Sequence, residues 1–237
     1  MAFVPQHDQF LATLTVRECL RFASKIHTAN GADGYGGSDH DQRVTYILDK
    51  LGLNSCADNT IGQCSGGQQK RLSIGQELLG EPDILVLDEP TSGLDSAATI
   101  LVIDLLKELV KSKRPMAVAL TIHQPSWRVL NQFDSIYALS SQGKTIYDGS
   151  PSLVMDYFSA HKLTAAENYN PGEFLIDVAS GEYGSDVLID LAADQEAQFV
   201  GNSSGDLSSG PEVSLDQITA HQTKHNFVAH CTQIMIR

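Results

Sequence analysis

The sequence has no apolar run long enough to cross a bilayer. Its longest are Ile84–Leu87 and Met116–Ile122, the second interrupted by Thr121, where a membrane helix needs about 20 mainly apolar residues. Positive charge is scarce: Lys and Arg total 16 against 29 Asp and Glu, a formal charge of −13. That balance argues against nucleic acid as a partner, because phosphate-backbone binding needs a basic face. It equally argues against an anionic membrane surface as the primary partner. Cysteine is sparse and scattered. Cys19, Cys56, Cys64 and Cys231 show no metal-ligand spacing and read as reduced thiols of a cytosolic protein. The start, Met-Ala-Phe-Val-Pro-Gln, lacks the basic and apolar regions of a secretory signal. What is present is a 42% hydrophobic composition, enough for a real core.

Phe3-Val4 reads as the end of a strand. Thr15 is a good N-cap with Glu18 as its box partner, and Val16, Cys19, Leu20, Ala23 and Ile26 make a helical stripe. Residues 30–40 are glycine-rich and loop-like. Val44, Ile47, Leu48 and Leu51 mark a second helix stopped by Gly52, and Ser65 with Gln68 opens a third that ends at Gly80. The continuous run Ile84–Leu87 suits a strand buried on both faces of a parallel sheet. Ala97, Ile100, Leu101, Leu105 and Leu109 predict a helix over 96–113, and Met116–Ile122 a further strand. Strand, helix, strand is a βαβ unit, so the fold class is α/β. Ser135–Tyr147 reads as a hairpin, and Ser150-Pro151 and Asn170-Pro171 each open a short helix. From residue 183 to 237 the periodicity fades, residues 201–210 are linker-like, and the segment is expected to be a poorly ordered tail.

Three features carry chemistry. Ser65-Gly66-Gly67-Gln68 stands at a helix start, where backbone N–H groups lack helical partners and the dipole is positive, so the stretch suits an anion such as phosphate; a capped helix after a glycine turn is the plainer alternative. Asp88-Glu89 terminates a buried strand, and ligands of open α/β sheets bind at the carboxyl ends of strands. One acid there can hold Mg²⁺ and the next can orient a water for attack on a phosphoryl group. His123 follows the strand Met116–Ile122, where its ring can donate to a phosphate oxygen.

In this order, with Ser92-Gly93-Leu94-Asp95 between the acids and the histidine, the motifs resemble the ATP-binding domain of ABC transporters. Cys64–Gln68 is similar to the family's signature sequence, Asp88 and Glu89 to its Walker B pair, Ser92–Asp95 to its D-loop, Gln6 to the Q-loop glutamine and His123 to the switch histidine. Leu14-Thr15-Val16-Arg17-Glu18, Thr121–Ser126 and Asn170–Leu175 resemble the G subfamily, the white-type half-transporters, and the likeness extends over residues 3–183. It implies an α/β fold with an incomplete ABC-type P-loop NTPase core and a helical signature subdomain, a partial ATP-binding domain over residues 1–182. It also implies two domains that sandwich ATP head to tail. Glu89 and His123 would then be catalytic, Ser65, Gly66, Gly67, Gln68 and Asp95 would bind nucleotide, and Asp88 and Gln6 would serve Mg²⁺. The second ATP-binding domain is the expected partner, the cytoplasmic face of a membrane the expected place, and a lipid or other hydrophobic compound the expected cargo.

The family's phosphate loop is expected upstream of Gln6 and its membrane half downstream, so the sequence reads as an incomplete chain, with a naturally short protein as the alternative. Ala138–Thr145 contains Gly143-Lys144-Thr145, but alanine replaces the first glycine and strand-like Ile146-Tyr147 follows, which favours a hairpin. From this reading the chain alone is expected neither to bind ATP tightly nor to hydrolyse it, and to aggregate. The competing readings are a short domain that completes or regulates a partner's ATP site, an ATPase acting on nucleic acid, and a metal-binding tail using His221, His225, His230 and Cys231.

Overall fold

Helix α1 (Val16–Ala29) begins at the expected capping pair. Thr15 N–H donates to Glu18 Oε2 (2.9 Å) and Glu18 N–H to Thr15 Oγ1 (3.2 Å), so two donors beyond the reach of helical carbonyls are satisfied reciprocally. Val16, Cys19, Leu20 and Ala23 are buried, but Ile26 is exposed. At 3.6 residues per turn the inner stripe passes through buried Ser24 to His27, whose Nε2 lies 3.1 Å from Gln76 O. Helix α2 (His40–Lys50) buries Val44, Ile47 and Leu48 and is followed by Gly52 at φ +61, a left-handed position that glycine takes at little cost. Helix α3 (Gly66–Leu78) packs against both. Gly75 makes that approach possible: a Cβ there would stand 2.5 Å from Leu51 Cδ1 and 3.2 Å from both Ile47 and Leu20. These three helices are the helical layer that the sequence led us to expect.

The computed structural model describes residues 1–29, 40–112, 114, 116–123, 125–166 and 169–203. Two compact units are present, Met1–Leu120 and Thr121–Arg237. Apart from His40, the glycine-rich stretch 30–40 lies outside the described residues, as do residues 204–237 with His221, His225, His230 and Cys231.

The first unit holds a parallel sheet of β1 (Ala2–Val4), β2 (Ile84–Leu87) and β3 (Ala117–Leu120), in the order β1-β2-β3. Helix α4 (Ser96–Val110) connects β2 to β3, completing the βαβ unit. The register sets Val4 beside Leu87 and Leu87 beside Leu120, so Val4, Leu85, Leu87, Val118 and Leu120 share one buried face. The expectation that β2 is buried on both faces is corrected: Phe3 is 52% and Ile84 43% exposed. A continuous apolar run marks a strand, but only a layer packed on each side buries both its faces. The α4 stripe is shifted as well. Ala97 and Leu101 face outward while Val102, Ile103, Leu105, Leu106 and Leu109 are buried, each fully buried aliphatic side chain contributing roughly 1.5–3 kcal/mol.

The second unit comprises the short helix α5 (Trp127–Leu130), the antiparallel hairpin β4 (Ile136–Leu139) and β5 (Thr145–Gly149), and helices α6 (Val154–Ala160), α7 (Pro171–Ser180) and α8 (Ser185–Ser203). Asn170 Oδ1 caps α7 by accepting from Gly172 N–H (2.9 Å), and Gly181 closes it at φ +91. A helix stands where a poorly ordered segment was expected to begin. Leu188, Leu191 and Ala192, spaced at i, i+3 and i+4, are buried, and α8 packs on β5. The stripe is short and interleaved with acidic residues, so its periodicity is faint in the sequence alone.

Candidate functional site

Parallel pairing places the residues that follow β1 and β2 at one edge of the sheet. Asp88 N–H extends the ladder by donating to Val4 O (2.9 Å), and Gln6 then meets Glu89: its Nε2 donates to Glu89 Oε2 at 2.6 Å and lies 3.5 Å from Ser92 Oγ. Two residues separated by 83 positions are thus joined at the carboxyl ends of adjacent strands, where α/β folds bind ligands. Glu89 adopts φ +40. A non-glycine residue in the left-handed region is uncommon and is held here by the tight turn in which Ser92 N–H donates to Glu89 O (3.0 Å). The strained backbone turns the chain away from the strand end immediately after the acid pair. Asp88 and Glu89 are both partly exposed.

Asp95 has a structural task. Its Oδ1 accepts from Ala98 N–H (2.7 Å) and caps α4. The expected nucleotide-binding residues Ser65–Gln68 form the start of α3, with a complete capping box: Gln68 N–H donates to Ser65 Oγ (3.3 Å) and Ser65 N–H to Gln68 Oε1 (2.8 Å). Gln68 therefore spends its side-chain oxygen on the cap. Ser65 and Gly66 are exposed, leaving the first turn open to solvent, whereas Gly67 is buried. A Cβ on Gly67 would stand 3.0 Å from Ala98 Cβ, and one on Gly66 3.4 Å from Leu94 Cδ2. The start of α3 thus abuts the turn that leads into α4, so the signature-like and D-loop-like segments share one surface. Cys64, just before the cap, has its thiol pushed up by burial, with Cys56 beside it adding to the effect.

His123 belongs to the second unit, follows buried Ile122, and is exposed. In the same unit Gly143-Lys144-Thr145 lies at the hairpin turn, with Ser140 N–H donating to Lys144 O (2.7 Å) and Gly143 at φ +76, so it has no phosphate-loop geometry.

Sequence reasoning passed over Lys70. The residue is 4% exposed, and its ammonium donates to Pro5 O (3.0 Å), Gln6 O (3.1 Å) and Asp8 Oδ1 (3.1 Å). The signal that could have found it is phase: Lys70 stands at i to Ile74 and Leu78 at i+4 and i+8, on the inner stripe of α3. Arg71, also passed over, donates from Nη1 to Leu51 O (3.0 Å) at the end of α2.

Residues 1–92 match the family described as ABC transporter, and residues 123–196 match ABC-2 type transporter. A metal-chelate type ABC transporter solved in an inward-facing conformation aligns with a TM-score of 0.52 and 24% identity, over 67% of this chain and 61% of that one, a likeness of fold. These findings define the class, an α/β ABC-type ATP-binding domain with a P-loop NTPase core, hence a nucleotide-binding fold. ABC transporter G family member 22 of Arabidopsis thaliana is 36% identical over 89% of this chain and 28% of its own length. G family member 14 of the same plant is 39% identical over 76% of this chain and 28% of its own. The broad substrate specificity ATP-binding cassette transporter ABCG2 of Mus musculus is 33% identical over 92% and 32%. The chain belongs to the ABC transporter family, in its G subfamily, and spans about 28–32% of the length of these relatives. Among the described residues no helix is long and apolar enough to cross a membrane.

Proposed function

We propose that the chain supplies the water-orienting side of one ATP site and the signature side of another, in a head-to-tail pair of ATP-binding domains on the cytoplasmic face of a membrane, driving export of a lipid or other hydrophobic compound. The observation that carries this reading is the Gln6–Glu89 hydrogen bond, 2.6 Å, at the carboxyl edge of β1 and β2. Glu89 accepts from the Gln6 amide, and a carboxylate's oxygens are acceptors suited to orienting a water in line with a γ-phosphate. Asp88 and the Gln6 side-chain oxygen are hard oxygen donors that fit Mg²⁺, which when bound neutralises charge on the phosphates. For His123, in the second unit, the family resemblance alone supplies a role, that of a hydrogen-bond donor to phosphate. On the other surface the exposed Gly66 N–H and the Ser65 hydroxyl, at the positive end of α3, donate to a phosphate held by the partner. Asp95, fixed as the cap of α4 by Ala98 N–H, whose residue stands against Gly67, couples the two sites through the turn it terminates.

The test is complementation. ATP turnover by an intact G-type half-transporter is measured with the chain added in native form and as Ser65→Arg, both shown by melting to be folded. Native chain raises turnover and the arginine form does not, because its side chain fills the anion position. Equal turnover with the two forms overturns the reading.

A further inference from the structure

Lys70 carries a buried charge to which the nucleotide chemistry above gives no role. An ammonium has three N–H donors, and each meets an acceptor: Pro5 O, Gln6 O and the Asp8 carboxylate, at 3.0–3.1 Å. The Asp8 side chain is itself only 10% exposed. Taking such a pair out of water is costly, and apolar residues of the same volume would often hold a fold equally well. What apolar residues would lack is a grip on two consecutive carbonyls. One of them belongs to Gln6, whose side chain donates to Glu89 Oε2. Lys70 stands on the same rigid helix as Ser65 and Gly66, little more than one turn from its start.

We propose that Lys70 is a positioning residue that holds the Pro5–Asp8 segment to helix α3 and thereby sets the Gln6 amide against Glu89. A displacement of α3, such as a ligand at its N-terminus would cause, is then carried through the Lys70 ammonium to the Gln6 main chain and on to the carboxylate. The role of Glu89 in this inference rests on the proposed function; the link itself does not.

The test reads Gln6 directly. In the isotope-labelled chain, Glu89→Gln identifies the Gln6 side-chain amide signal and shows its position without the carboxylate. The double variant K70M/D8L removes both buried charges, so no orphaned carboxylate remains to unfold the chain. It is expected to melt cooperatively while its Gln6 amide signal moves toward the E89Q position and exchanges with water ~10-fold faster or more. A folded K70M/D8L chain with the native Gln6 signal overturns the proposal. Should that variant not fold, Asp8→Asn reads the same link: a partial shift supports it and no shift overturns it. In an assembly that hydrolyses ATP, K70M/D8L is expected to lower kcat by ~10-fold or more with KM for ATP held, because a small misplacement of a reacting geometry is that costly; unchanged kcat overturns the positioning role. Failure of the native chain to complement a half-transporter would defeat the proposed function and leave the Gln6 signal as it is, so the two failures are distinguishable.

Discussion

Glu89 combines a left-handed backbone with a short hydrogen bond from a residue far away in sequence, and its side chain is where the chemistry is most exposed to test. In a hydrolysing assembly, Glu89→Gln is expected to lower turnover by roughly 100-fold or more, the usual loss when a positioned proton acceptor is removed, with nucleotide still retained on the protein; single-turnover assays check both. Gly67 has a different constraint. With a Cβ position 3.0 Å from Ala98 Cβ, Gly67→Val is expected to cost ~1–3 kcal/mol by overpacking, read by urea unfolding. Cys19 gives a pH dependence. Burial pushes its thiol up to about 11 from the ordinary 9.0, so the folded chain favours the protonated form. That contribution is complete below the ordinary thiol range and is lost as pH rises from about 9 through about 11, since the unfolded chain releases its proton first. Stability measured between about pH 8 and about pH 10.5 is expected to fall, and to fall less in Cys19→Ala. Tyr147 and Tyr157, both pushed up to about 12 mainly by burial, titrate higher and leave that difference intact.

At the scale of elements, the caps decide where helices start and so where the site's donors point. Ser65 both ends the preceding segment and directs the first N–H groups of α3 outward. Ser65→Ala is expected to cost ~1 kcal/mol through loss of the cap, seen as a lower melting temperature. Helix α8 depends on tertiary contact instead. Acidic residues line much of it, and an isolated helix of such composition is marginal. Its hold is Leu188, Leu191 and Ala192 against the β5 side of the hairpin. Leu191→Ala is expected to cost roughly 2–5 kcal/mol and to speed hydrogen exchange along α8 more than along α7, which has its own asparagine cap and glycine stop.

For the whole molecule, the three-stranded sheet determines behaviour in solution. Among the described residues, Phe3 and Ile84 are exposed on one of its faces, and β1 lies at the end of the strand order with no strand on its outer side. An apolar face beside an unpaired edge is a template for association. The chain is therefore expected to self-associate with rising concentration, and Phe3→Lys to shift the association to higher concentration without altering Gln6 or Glu89; sedimentation at several concentrations checks this. The −13 net charge opposes close approach at low salt, so added salt is expected to promote the association.

Motif order, caps and strand positions were readable from the linear text because each is a local matter: Thr15 with Glu18, Ser65 with Gln68 and Asn170 with Gly172 lie within four residues of one another, and the hairpin that disposes of Gly143-Lys144-Thr145 follows from its neighbours. What remained hidden depends on residues brought together from afar. The open second face of β2, the outward turn of Ile26 and Leu101, the order of α8 and the grip of Lys70 on Gln6 all depend on which layer lies against which. Spacing along a chain specifies which side chains share a face, but only packing decides whether that face meets protein or water.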